Sequence, residues 1–326
     1  MVLATVTPFT STKAEPRAAE TNSDCRPTQL YGAAVMRARH SAVTDTGLRR
    51  QRNEDAFLAD DGLGLYLVCD GVGGRAHGEV ASAATADLIW DWIKREDALI
   101  SLATAETRAG SHHAARVANV STSPSPQTKM SEDTVGRLGA MIRGAVQNAC
   151  YMVHSMGEVY PERRGMSTTA SVVQLVGEMI VVGQVGDSRV YLARDGAVTQ
   201  LTEDHTWQNL LVQQGRLTPR QARGRAGKNI ITRAVGLREF VEVDILVLPV
   251  QPGDRVLLCS DGLHAYLDSG ATLSDLFKLD IREAAPRRDP PRQRLRWCGQ
   301  HHCPVRGVPR VVGGRWCRPS PRTITV

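Results

Sequence analysis

The chain has 326 residues, 42% of them hydrophobic and 23% charged, ordinary proportions for a globular protein with a sizeable core. No stretch approaches the roughly 20 apolar residues of a membrane-spanning helix, and the N-terminal residues show no basic region followed by a sustained apolar run. Neither membrane insertion nor a signal peptide is expected, and the expected location is the cytoplasm. The net charge of +6 does not argue for nucleic acid, because the segment from Pro286 onward alone holds ten arginines and a single acid, Asp289. The remainder of the chain is net negative.

Residues 1–36 are rich in Thr, Ala, Ser and Pro without periodicity, and read as a disordered extension with Met36 as a candidate true start. "FLADDGLGLYLVCDG" reads as two strands around a turn at Asp61-Gly62. "GEVASAATADLIWDWIKRE" has helical periodicity, with Val80, Ala84, Leu88 and Trp92 on one face. Residues 96–130 are polar and read as a loop or linker. A second helix is expected over "SEDTVGRLGAMIRGAVQNACYMVHSM", capped by Ser131. Strands follow in "TTASVVQLV", "MIVVGQVGDSRVYLAR", "AVTQLT", "FVEVDILVLPV" and "DRVLLCSDG", with "ARDGAV" as a turn between two of them. Residues 204–235 interrupt them as a polar, helix-like insertion. Many strands with a few long helices, not in regular alternation, predict an α+β sandwich.

The glycine cluster after Asp70 admits several readings. "GVGGRA" fits the dinucleotide fingerprint, with Asp91 twenty residues on. Asp91, however, falls inside a helix pattern, and Asp70 would repel a pyrophosphate. No Lys-Ser/Thr follows the glycines, so direct nucleotide binding is not expected. A plain Asp-Gly turn is the bland alternative. The device recurs, however: Asp261-Gly262 ends "RVLLCSDG", Asp187 follows Gly186, and Asp55 precedes a further strand. Carboxylates gathered at strand ends repel one another unless protons or cations neutralise them. All-oxygen donors suit hard divalent ions, Mg²⁺ or Mn²⁺. Cys69 and Cys259, inside apolar runs, read as buried hydrophobes.

"TDTGLRRQRNEDAF", "LVCDGVGGRAHGEVAS", "VGQVGDSRVYLARDGAVTQLTEDHTW" and "GDRVLLCSDGL" together resemble, in order, the motifs of the type 2C (PPM) metal-dependent protein serine/threonine phosphatases of bacterial type. The resemblance implies a two-sheet antiparallel β-sandwich flanked by helices, with a binuclear Mn²⁺ or Mg²⁺ centre at one end and a third, weaker site. Carried over by position, it implies Asp70 as the ligand shared by two ions, Gly71 as a carbonyl ligand and Asp261 as a ligand of the second ion. Asp55 would support the cluster through water, Asp187 would serve the third site, and Arg50 would grip the phosphate. The implied reaction is hydrolysis of phosphoserine and phosphothreonine in proteins by metal-activated water. The implied partners are phosphorylated proteins, among them serine/threonine kinases and their substrates, with no nucleic acid and no membrane; a monomer is expected. Arg49 and Arg52 read as solvated neighbours and His77 as a surface histidine. The 204–235 insertion matches the family's flap, with Arg225-Ala226 where many members have His-Pro.

The tail departs from the family. Gly313-Gly314 survive, but the Asp-Asn that follows such a pair in the family is missing, and no acid follows Asp289. The closing helix and strand of the family are not recognisable. The expected organisation is therefore an extension to residue 36, a catalytic domain over 37–280 and a non-family Arg/Pro-rich tail over 281–326, with a shifted reading frame as its origin. Cys298, His301, His302, Cys303 and Cys317 fit no common zinc spacing. An alternative function is a weakened phosphatase-like module that binds phosphoproteins without efficient turnover.

Overall fold

The structure, a computed structural model, describes residues 1–9, 35–44, 52–72, 77–106, 130–223, 230–265, 277, 311–312 and 315–316. Chain contacts divide it into two units, Met1–Ala285 and Pro286–Val326. The described part of the second unit is a short antiparallel pair, Val311–Val312 with Arg315–Trp316. The tail cysteines and histidines lie outside the described residues, as do the stretches in which the family's closing helix and strand would fall.

The first unit is a sandwich of two five-stranded antiparallel sheets. One sheet runs β2-β1-β10-β7-β8, built from β1 (Val2–Phe9), β2 (Val35–Ala42), β7 (Arg189–Arg194), β8 (Ala197–Gln200) and β10 (Arg255–Cys259). The other runs β3-β4-β5-β6-β9, built from β3 (Asp55–Asp60), β4 (Leu65–Asp70), β5 (Ala170–Val176), β6 (Met179–Val185) and β9 (Asp244–Pro249). Helices α1 (Gly78–Arg95) and α2 (Glu132–Val159) cover the outer face of the second sheet.

Strand parity sorts the core. Along β4, Leu65, Leu67 and Cys69 turn to the helices, while Tyr66 and Val68 turn between the sheets. Asp70 shares the parity of Tyr66 and Val68, so it closes the inter-sheet core at one end of the sandwich. Val2, Ala4, Val6, Val256 and Leu258 meet that core from the first sheet. Cys69 and Cys259 are fully buried free thiols.

Three expectations are corrected. Residues 97–106, read as part of a loop or linker, are helical, with Ile100 and Ala103 in the core. Residues 1–36 are not an unstructured extension throughout: Val2–Phe9 forms a strand paired to β2 on one side and β10 on the other. Alternation of Val2, Ala4 and Val6 inward is what seats it. On α1 the expected stripe is one part of a wider arc: Ala84 is buried and Leu88 and Trp92 pack half-buried against the core, Val80 is half-buried, and the burial extends to Ala81, Thr85, Ile89 and Ile93. The helix rests on β3 and β4 below and on α2 at its side, so the apolar arc is wider than one stripe. Trp92 lies on that flank, where a Cβ at Gly144 would come within 3.3 Å of its ring. The Ser131 cap forms as expected, its Oγ accepting from Thr134 N–H at 3.1 Å.

Candidate metal centre

Three chain segments bring carboxylates to one end of the sandwich. Asp55 opens β3 and Asp70 closes β4, and the ladder register sets them directly opposite each other. Asp261 follows β10 and starts the one-turn helix α5 (Asp261–His264). Ser260, just before it, donates its hydroxyl to Asp55 Oδ2 at 2.8 Å, tying the end of one sheet to the start of the other. The Asp70 carboxyl lies close enough to Asp55 and Asp261 to feel the charge of both.

The main chain of Asp70 is held on both sides. Its N–H donates to Thr169 Oγ1 at 2.9 Å, and its carbonyl accepts from Thr168 Oγ1 and from Thr169 N–H, both at 2.8 Å. Gly71 donates to Glu54 O at 3.0 Å. A Cβ at Gly71 would stand 2.5 Å from Gly78 O and 2.8 Å from Glu54 O, so only glycine lets the chain pass between β3 and the start of α1. His77, at that start, is partly exposed and 3.5 Å from Glu79, as a surface histidine would be.

Asp187 lies in the turn between β6 and β7. Gly186 bends there with φ +98°, where any Cβ would press on Thr169 at 2.5 Å. Beneath the turn runs a buried polar ladder: Thr169 Oγ1 meets Ser188 Oγ at 2.8 Å, and Gln184 Nε2 donates to Ser188 O at 2.7 Å. Ser171 donates to Gln184 Oε1 at 2.7 Å. A satisfied network of this kind rigidifies the turn.

Burial pushes the Asp70 carboxyl well above the usual carboxylate range, reinforced by the charges of Asp55 and then Asp261. Asp187 is pushed up to about 6, by burial first and then by the Asp261 and Asp204 charges. These shifts record crowding of like charges in a dry place, which protons or cations must relieve. Among the described residues no three carboxylate, imidazole or thiolate groups form a ready-made ion cage. The all-oxygen donor set nevertheless suits Mn²⁺ or Mg²⁺ by its chemistry.

Of the residues expected from sequence, Asp55, Asp70, Gly71 and Asp261 are brought together, and Asp187 stands close enough to feel Asp261. Arg50 lies outside the described residues, as does Arg49; Arg52 is exposed and donates to Glu79 at 3.1 Å. Ser260, Thr169 and His264 carried no signal in the sequence, and His205 was marked only as part of the flap's opening. His205 accepts at Nδ1 from Gly186 N–H at 3.1 Å and meets Asp244 Oδ2 through Nε2 at 2.9 Å, which joins the flap to the Asp187 turn and to β9. The flap itself contains helices α3 (Trp207–Gln213) and α4 (Pro219–Arg223). Its opening "EDHTW" was legible as a family motif, but its hydrogen bonds were not.

The family model described as Protein phosphatase 2C matches residues 48–296. The chain is 31% identical over 249 residues to the serine/threonine protein phosphatase PstP of Mycobacterium tuberculosis, covering 76% of this chain and 41% of that one. It is 31% identical over 253 residues to the serine/threonine phosphatase stp of Listeria monocytogenes, covering 74% and 87%. The chain thus spans less than half the length of PstP. Among solved structures, that of the M. tuberculosis phosphatase PstP/Ppp matches with TM-score 0.57 and 29% identity over 74% of this chain and 85% of that one. The PstP catalytic domain in complex with 2 manganese ions matches with TM-score 0.51 and 29% identity over the same shares.

Proposed function

We propose that this chain, which belongs to the protein phosphatase 2C family, hydrolyses phosphoserine and phosphothreonine esters in proteins with the help of bound Mn²⁺ or Mg²⁺. The observation that carries this reading is the meeting of half-buried Asp55 and Asp261 with buried Asp70, from three strand ends, in one acidic site.

Asp70 and Asp261 would hold the ions directly, Gly71 would offer its carbonyl, Asp55 would stand behind them, and Asp187 would serve a third, weaker ion. Bound there, a divalent cation supplies the Lewis acidity that makes water nucleophilic at neutral pH. The chain's own task is placement. Thr168 and Thr169 fix the Asp70 main chain, Ser260 fixes Asp55 against the Asp261 turn, and Gly71 keeps a side chain out of the approach. Arg50 would offer a permanently charged fork to the phosphate oxygens. Natural substrates would be phosphoproteins of the cytoplasm, including serine/threonine kinases and their targets. Among the described residues no helix is long and apolar enough to cross a membrane.

One observation favours a second reading, a module that binds phosphoproteins with little turnover. No acid follows Asp289, so no carboxylate stands after Gly313-Gly314, where the family's Asp-Asn motif implies a further ligand of the second ion. A single assay separates the two: hydrolysis of a phosphothreonine peptide with and without Mn²⁺, by the full chain and by Asp70→Asn. Mn²⁺-dependent turnover lost in the variant is expected. Peptide binding by the full chain without turnover would overturn the enzyme reading.

A further inference from the structure

We propose that His264 is a positioning residue that fixes the spacing between Asp187 and Asp261. The inference rests on the metal-centre reading above and adds a residue to it.

The ladder between β7 and β10 ends toward the site with Arg189 opposite Cys259. Asp187 lies two residues before Arg189 and Asp261 two residues after Cys259. Both carboxylates therefore stand just past the end of the ladder, where strand pairing no longer sets their separation. They also repel each other. His264, at the end of the one-turn helix that Asp261 starts, crosses this gap: its Nε2 is 3.0 Å from the Asp187 carbonyl oxygen. A carbonyl can only accept, so Nε2 carries the hydrogen and the imidazole donates. The ring is buried, as are Asp187 and Ser188, so water does not compete for that bond.

The same short helix is tied at its other end. Ser260 donates to Asp55 on the opposite sheet, and the N–H of His264 reaches Ser260 O at 3.3 Å. Asp261 is thus held between two anchors, one to β3 and one to the Asp187 turn. Asp187 is held from its other side by the ladder through Ser188, Gln184 and Thr169. Of these links, the His264 bond is the one that runs directly between the chain segments carrying Asp187 and Asp261. Partners behind metal ligands commonly matter roughly 10- to 100-fold in metal affinity.

The test compares His264→Leu, which keeps bulk and removes the donor, with His264→Gln, which keeps an N–H at similar reach. Mn²⁺ binding to the full chain is followed by paramagnetic resonance of the free ion, without any turnover, and folding by thermal melting. His264→Leu should weaken the weakest Mn²⁺ site about tenfold or more, and His264→Gln should recover most of that loss. In an Asp187→Asn background the Leu substitution should add little, because the two act through one contact. If Leu does not fold, His264→Asn, whose shorter amide falls short of the carbonyl, replaces it. A Leu or Asn variant that folds and binds Mn²⁺ like the wild type overturns the proposal, as does a Gln variant no better than Leu. Wild-type chain that binds Mn²⁺ but leaves the phosphothreonine peptide intact overturns the phosphatase reading instead, and the comparison of variants still decides the role of His264. Wild-type chain that binds no Mn²⁺ overturns both.

Discussion

Asp55 faces Asp70 across the β3–β4 ladder, and Ser260 at the end of the other sheet donates to Asp55 at 2.8 Å, so carboxylates far apart in sequence share one corner in which Asp70 is buried and Asp55 and Asp261 are half-buried. Such an arrangement works against the stability of the ion-free fold, because buried like charges cost free energy until neutralised. Asp70→Asn should therefore raise the melting temperature of the metal-free protein, by roughly 2–4 °C for each kcal/mol relieved. The same variant should lose at least about a hundredfold in Mn²⁺-dependent turnover, since ion contacts stabilise the reaction by several kcal/mol. Melting curves in chelator and peptide hydrolysis in Mn²⁺ check the two halves. An Asn variant that melts lower than wild type would show that the corner is not strained by charge.

Gly71→Ala should fail for a different reason. Its new methyl would meet two backbone oxygens, Gly78 O at 2.5 Å and Glu54 O at 2.8 Å, neither of which can rotate away. Overpacking against fixed groups costs about 1–3 kcal/mol. Chemical denaturation should show that loss, and Mn²⁺-dependent activity should fall with it, because Gly71 sits between Asp70 and α1. Gly136→Ala, with nothing within 4 Å of the added carbon and no left-handed backbone, is the uncrowded control and should be neutral or slightly stabilising inside α2.

Legibility followed the length and purity of the apolar runs. "LYLVCD", "ASVVQLV", "MIVVGQV" and "RVLLC" are buried over nearly their whole length and became β4, β5, β6 and β10, and the recurrence of Asp beside Gly marked their site ends. What sequence could not give was partnership across long separations. Nothing in "SDGLH" announces that Ser260 reaches Asp55, 205 residues away, or that His264 reaches back 77 residues to Asp187. The buried arc of α1 is wider than the stripe of Ala84, Leu88 and Trp92 that the periodicity marked, because two neighbours bury the helix. β1 was missed because its alternation of Val2, Ala4 and Val6 is short and runs into a long Thr-, Ser- and Pro-rich stretch.

That missed strand makes a prediction against the candidate start at Met36. Removing residues 1–35 would take β1 from between β2 and β10 and bare one edge of β10. Val2, Leu3 and Val6 are almost wholly buried, and each such side chain contributes roughly 1.5–3 kcal/mol. Against a total stability of about 5–15 kcal/mol for a domain, the truncated chain should be insoluble or lack a cooperative melt. A chain starting at Met36 that melts like the full one would mean that β1 is dispensable to the sandwich.

His205 gives the fold an acid-side limit. Its buried Nδ1 accepts from Gly186 N–H, so a second ring proton would point at a donor. Burial holds its pKa below the usual histidine value, outweighing the raising effect of Asp244. In the unfolded chain the ring titrates near about 6.5. Above that pH the ring is neutral in both states, and its contribution to stability is fully present. As the pH falls below 6.5 the unfolded state takes up the proton first, so stability is lost progressively until the lower folded value is passed. Denaturation midpoints of wild type and His205→Gln should therefore converge as the pH drops from 7 to 5, with the wild type falling more steeply. Because the Gly186 bond also steadies the Asp187 turn, His205→Gln should bind Mn²⁺ more weakly at pH 7. Parallel pH profiles for the two proteins would mean that the imidazole does not titrate against the fold.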